Sequence, residues 1–157
     1  MRTLEKNNEF YNGVVAGCIG ATVKYIFNEL VQFMGFAKYD NNATAITVVL
    51  RSYEHTWYYW LFGFMNALII GAFFGVLIAF IFSYIFNRNY LYSKAVAIGI
   101  GIWLFNFGVM SKVFNYPKDI ASSLGDVFSM LLSLIIYSIV TVVMLKTLGF
   151  FKVSKLK

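Results

Sequence analysis

Residues 57–86 run for about 30 positions without a single Asp, Glu, Lys, Arg or His. A stretch so long and so apolar finds no room in the core of a small water-soluble domain, much of which is always surface. It reads as a membrane span, because crossing roughly 30 Å of hydrocarbon takes some 20 residues at 1.5 Å each. Tilt, or an extra turn outside the hydrocarbon, absorbs the excess length.

Three more stretches follow the same pattern. Residues 10–36 are apolar apart from Lys24, Asn28 and Glu29, residues 93–114 carry Lys112 at their end, and residues 124–148 form the last. Charged residues are 13% of the chain and hydrophobic ones 60%, and a soluble domain carries about twice that charge fraction. The expected fold is all-α, a four-helix transmembrane bundle. The connections at 87–92 and 115–123 are short enough to force antiparallel neighbours, so the bundle is built from two antiparallel hairpins joined by a turn. Residues 1–9 precede the first span, 37–56 form the one long loop, and 149–157 form a basic tail.

Lys and Arg set the orientation. Arg2, Lys6, Arg88, Lys94, Lys146, Lys152, Lys155 and Lys157 collect on one side, against Lys38, Arg51, Lys112 and Lys118 on the other. Both termini are therefore expected to be cytoplasmic (N-in/C-in). The expected location is a bacterial cytoplasmic (inner) membrane, with the protein multi-pass. No cleavable signal peptide is expected, since the apolar run after residue 9 is too long for one and leads into Lys24. The cluster Trp57-Tyr58-Tyr59-Trp60 reads as an interfacial aromatic belt.

Lys24 is the most informative polar residue. An ammonium at mid-bilayer costs roughly 2.5–3.5 kcal/mol on insertion scales. Gly13, Gly17, Gly20, Lys24 and Asn28 follow helical spacing and are expected on one face, where small residues let helix backbones approach. Gly71 and Gly75 form a second small-residue contact, Asn66 projects from a different face, and Gly99, Trp103 and Asn106 align opposite Gly101 and Gly108. Asp126, Ser129, Ser133 and Tyr137 form a polar line on the last helix, with Thr141 at its edge. Lys24, Asn28, Glu29, Asn66, Asn106, Asp126, Ser129, Ser133 and Tyr137 are the candidate ligand-pathway or partner-contact residues. The sharp reading is a polar pocket opening outward with Lys24 at its floor. The plain alternatives are interhelical hydrogen bonding and, for Asp126, a Ser123-x-x-Asp126 capping box.

Several chemistries lack their residues. One cysteine, Cys18, makes no intramolecular disulfide. The single His55 lies in a loop, so no paired-histidine metal or haem site is expected. No nucleophile elbow or phosphate-binding loop appears. An enzyme is not expected, although Glu29 with Asp126 is the one candidate pair for a lipid-modifying activity. No cofactor is implied, and a net charge of +6 reads as orientation signal, with no nucleic acid as partner.

Gly13-x-x-Ala16-Gly17-x-x-Gly20 followed by Lys24, with four spans over nearly the whole chain, resembles small four-span membrane proteins of Firmicutes and, more loosely, the YagU-like bacterial inner-membrane family. The Pro-Pro-Arg stretch usual in that family beyond the first span is replaced here by Gly35-Phe36-Ala37-Lys38-Tyr39-Asp40. The resemblance implies a bacterial inner-membrane protein and no particular activity. The expected function is a non-catalytic accessory or assembly subunit of a larger membrane complex, with another membrane protein as partner. The alternative is a homo-oligomeric small-solute or ion conduit, for which Lys24, Asn66, Asn106 and Ser133 should converge on one cavity.

Overall fold

A computed structural model of the chain describes residues 2–38, 46, 56–86, 89–110, 113 and 123–151, with residues 2–8 and 110 given by backbone alone. Expectations about the loop at 39–45 and 47–55, the turn at 87–88, residues 111–112 and 114–122, and the tail at 152–157 fall outside the described residues. The described elements are four helices: α1 (Arg2–Phe33), α2 (Trp57–Tyr84), α3 (Leu91–Phe105) and α4 (Leu124–Thr147). A π-helical turn, Asn106–Met110, extends α3. All four are long and apolar enough to cross a membrane, over Glu9–Phe33, Trp57–Tyr84, Leu91–Val109 and Leu124–Thr147. The fold is all-α.

Helix ends follow local chemistry. α1 begins at Arg2, two turns before the apolar stretch, because nothing from Thr3 to Asn8 breaks a helix. It stops at Phe33, short of the apolar boundary at 36, because Gly35 takes φ 75°. There the Gly35 N–H donates to Gln32 O at 2.9 Å and the Phe36 N–H to Val31 O at 3.1 Å. That is the paired bonding of a left-handed helix stop. Gly149, at φ 77°, closes α4 in the same way through Phe150 N–H to Leu145 O at 3.1 Å. At the other end of α4, the Ser123 hydroxyl accepts from the Asp126 N–H at 3.1 Å and donates to Asp126 Oδ2 at 2.6 Å, the capping box read from sequence.

α1 packs along both α2 and α4, whereas α3 packs substantially on α4 alone among the described helices. The α1–α2 contact is antiparallel and glycine-lined. A Cβ on Gly13 would lie 2.8 Å from Val76 Cα, and one on Gly17 would lie 2.9 Å from Gly75 Cα. Glu9 accepts from the Ser83 hydroxyl at 2.9 Å, and Tyr25 meets Phe64 edge-on at 5.0 Å, which keeps that register from end to end. Gly99 brings α3 onto α4, where a Cβ would lie 2.8 Å from Ile135 Cα.

The N-terminal end of α1 and the C-terminal end of α4 lie at the same end of the bundle, joined through α2 by Ser83–Glu9 and by a Phe82–Phe151 ring contact at 5.7 Å. Most of the apolar core lies toward that end, around Ile78, Ala79, Phe82, Val142 and Leu145. A smaller cluster, Met130 and Ala37 with Val31, Trp103 and Phe107 against it, closes the opposite end. Polar side chains occupy the space between.

Candidate functional site

The polar line of α4 faces inward. Asp126, Ser133 and Thr141 are fully buried, and Ser129 and Tyr137 nearly so. Gly20 lets α4 approach α1 at this level, since a Cβ there would lie 3.0 Å from Tyr137 O and 3.1 Å from Tyr137 Cδ2 and would press on Thr141 Oγ1. With the space above Gly20 open, the Tyr137 phenol reaches across to α2 and donates to Gly71 O at 2.6 Å. Ser133 donates to Met130 O at 2.9 Å and Thr141 to Tyr137 O at 2.8 Å. These hydroxyl protons are spent on backbone carbonyls, so the oxygens present lone pairs to their surroundings.

Lys24 lies one turn beyond Gly20 on α1, and Ser133 one turn before Tyr137 on the antiparallel α4. The Gly20–Tyr137 contact therefore sets Lys24 and Ser133 at the same depth. Asn28, 4% exposed, and Ser129 occupy the next turn. Lys24 itself is half-buried. Among the described residues no carboxylate pairs with its ammonium.

The single face expected for Gly13, Gly17, Gly20, Lys24 and Asn28 divides in two. Gly13 and Gly17 meet Gly71, Gly75 and Val76 of α2, and Gly20 meets α4. A line with 4, 3, 4 spacing spans about 60° of a helix, which is enough for a helix wedged between two others to serve both. Lys24 lies at the angle between Gly13 and Gly17, one turn beyond Gly20.

The remaining candidates are dispersed. Asp126 anchors the outer end, where Oδ1 also accepts the Lys38 N–H at 2.7 Å and holds the chain leaving α1 over the start of α4. Gly125 allows that approach, because a Cβ would strike Phe36 O. Glu29, about 140° round α1 from Lys24, lies on another side of the helix with Oε1 buried. Asn66 is likewise about 140° from Gly71 round α2, off the line that meets α1. Asn106 opens the π-helical turn of α3, and α3 has α4 between it and α1. The structure thus sets Lys24, Asn28, Ser129, Ser133 and Tyr137 on neighbouring turns of α1 and α4, with Asn66 on α2 and Asn106 at the end of α3.

Two buried groups, Tyr25 and Ser138, went unnoticed in the sequence, and a third, Trp103, was placed only by its alignment with Gly99 and Asn106. Tyr25, 5% exposed, is held between Trp60 and Phe64, at 6.0 and 5.0 Å between ring centres. Trp103 Nε1 and Ser138 Oγ are buried without a hydrogen-bond partner among the described residues. Neighbouring Tyr25 to Lys24 was a visible clue to the first, whereas nothing in the spacing marks Ser138. Among the described residues no group of His, Cys, Asp or Glu could hold a metal ion. No protein-family model, no curated protein and no solved structure matches the chain.

Chemically the residues on these turns of α1 and α4 have one cation, one amide and a row of oxygen lone pairs. Its nearest carboxylate on α4, Asp126, is held by a cap and a backbone N–H two turns away. The set suits binding and packing more than proton transfer, which needs an acid and a base in reach of one substrate.

Proposed function

We propose that the protein is a non-catalytic accessory subunit of a larger membrane complex, and that it docks through α3. The observation that carries this is the one-sided packing of α3. Glycines 13, 17, 20, 71, 75, 99 and 125 all have a neighbour close enough to meet an added Cβ, but among the described residues Gly101 and Gly108 have nothing within 4 Å. Glycine in a helix costs about 1 kcal/mol relative to alanine, and close approach of another helix is what recovers that cost. Leu104 and Phe105 flank the two glycines, exposed at 57% and 45%. The glycines of α1 and α2 are already engaged within the chain, which leaves those of α3 to meet a partner.

The reading includes N-in/C-in insertion in a bacterial cytoplasmic membrane. Its support is the excess of Lys and Arg toward the shared end of α1 and α4. There Lys94 lies 5.3 Å from the Phe86 ring centre and Lys146 5.9 Å from that of Tyr92, an arrangement suited to a headgroup boundary.

Native mass spectrometry after mild extraction tests the proposal, with Gly101→Leu beside the wild type. A one-to-one mass with a second polypeptide, lost in the variant, is expected. A symmetric homo-oligomer overturns it in favour of the conduit reading, in which several copies would share the Lys24 level.

A further inference from the structure

The basic residues of α3, of the connection before it and of the end of α4 have no acidic counterpart in the segments that carry them. From Trp57 to Lys118 the chain contains no Asp or Glu, and none follows Asp126, whose carboxylate is held at the opposite end of α4. Arg88 and Lys94 fall in the first stretch, and Lys146, Lys152, Lys155 and Lys157 in the second. The acidic residues on the first turns of α1, Glu5 and Glu9, are matched in number there by Arg2 and Lys6, and Glu9 accepts from Ser83. Of the chain's 13 basic residues, the seven outside this group of six equal the seven acidic ones in number. The group therefore accounts for the whole net charge of +6.

Two of its members have described side chains. Lys146 lies exposed in the last turn of α4, with Nζ 5.9 Å from the centre of the Tyr92 ring at the start of α3. Lys94 lies in the first turn of α3, with Nζ 5.3 Å from the centre of the Phe86 ring just past α2. The two contacts tie the start of α3 to the ends of α4 and α2. An ammonium over a ring is held against the apolar body of the protein, with its stem along that surface. Tyr84, Tyr90 and Tyr92 are exposed at the same end, and tyrosine settles at headgroup level. The two cations thus stand at the depth of a lipid phosphate, where the apolar lengths of α3 and α4 end.

We infer that this end of the bundle is a docking surface for anionic phospholipid headgroups, with Lys146 and Lys94 as phosphate contacts. Lysine carries a compact point charge that binds phosphate without demanding a fixed geometry. The basic residues are spread from the α2–α3 connection to beyond α4 in sequence, which suits several small headgroups better than one extended acidic segment. Orientation alone needs only a count of Lys and Arg near the spans, whereas retention of lipid needs them at headgroup depth. Each such residue strengthens binding to an anionic surface by about fivefold.

Native mass spectrometry of the purified protein in mild detergent reads bound lipid directly during titration with phosphatidylglycerol or with phosphatidylcholine of the same acyl chains. Wild type is compared with Lys94→Gln, Lys146→Gln, the two combined, Lys146→Arg and Lys38→Gln, which removes a cation beside the opposite end of α4. Wild type should prefer phosphatidylglycerol, and each single glutamine variant of the pair should lower its affinity about fivefold. Lys146→Arg and Lys38→Gln should keep it. Equal affinity of wild type for the two lipids overturns the proposal, as does an undiminished preference in the combined variant or an equal loss in Lys38→Gln. Displacement of the lipid by an equal concentration of glycerol 3-phosphate would show a soluble-phosphate site and likewise overturn the lipid surface. If the lysine variants fail to fold, the wild-type preference decides: it must weaken from low to high salt, and a salt-independent preference overturns the proposal. Micelles have no inner or outer side, and docking through α3 is read from Gly101→Leu, so this proposal and the accessory-subunit reading can fail separately.

Discussion

Replacing Gly17 by alanine tests the close contact of α1 with α2, and Gly101→Ala is its matched control. A Cβ at position 17 would press on Gly71 O and come within 2.9 Å of Gly75 Cα and 3.0 Å of Gly71 C. All three are backbone atoms, so no side chain can swing aside. Ordinary contact begins at 3.4 Å, so α1 and α2 must part by about 0.5 Å or more, a gap that forfeits about a quarter of each dispersion contact along the seam. Overpacking of this kind costs about 1–3 kcal/mol. At position 101 the same methyl meets nothing within 4 Å. Both variants gain the same backbone benefit of about 1 kcal/mol from removing a helical glycine, so the difference between them isolates the steric term. Equilibrium unfolding in mixed micelles, followed by tryptophan fluorescence, should show Gly17→Ala less stable than Gly101→Ala by about 1–3 kcal/mol. Equal stabilities within about 0.5 kcal/mol, the usual scatter of surface changes, would refute the close packing of α1 on α2.

Tyr137→Phe removes the hydroxyl that reaches Gly71 O at 2.6 Å while keeping the ring. Bonds of this kind between membrane helices are worth about 0.6 kcal/mol on average and up to about 1.7, and the same unfolding assay should report a loss in that range. Asp126→Ala removes the acceptors of the Ser123 hydroxyl and of the Lys38 N–H together, while the Ser123 cap on the backbone N–H of residue 126 remains. A loss of about 2–4 kcal/mol is expected from two hydrogen bonds to a carboxylate. Hydrogen exchange should show it as lost protection at the first turn of α4, and unchanged protection there would count against the anchoring role.

The long apolar runs gave away the four helices, because hydrocarbon thickness leaves few alternatives for a stretch such as 57–86. The Ser123–Asp126 cap was equally readable, since a capping box needs only four residues of sequence. The start of α1 was not, because an apolar window measures the length immersed in lipid and not the length of helix. The division of the α1 glycines was hidden for a different reason. Helical spacing shows which residues share a side, but not how many neighbours that side serves. Gly108 illustrates a third limit. Its alignment with Gly101 assumed a regular helix, and the turn from Asn106 to Met110 widens to π geometry, a change with no marker in the residues themselves.

The seam between α1 and α4 also bears on how the protein is made. Its anchoring bond joins Lys38 to Asp126, 88 residues apart in the chain. During synthesis α1 and α2 can pair as soon as both have entered the bilayer, but α4 is the last of the described helices to leave the ribosome. Until it arrives, the side of Lys24 that will face Ser133 has only lipid or the insertion machinery against it, at a cost of roughly 2.5–3.5 kcal/mol on insertion scales. The nascent chain thus carries Lys24 uncovered on that side until α4, the last of the described helices, packs against α1.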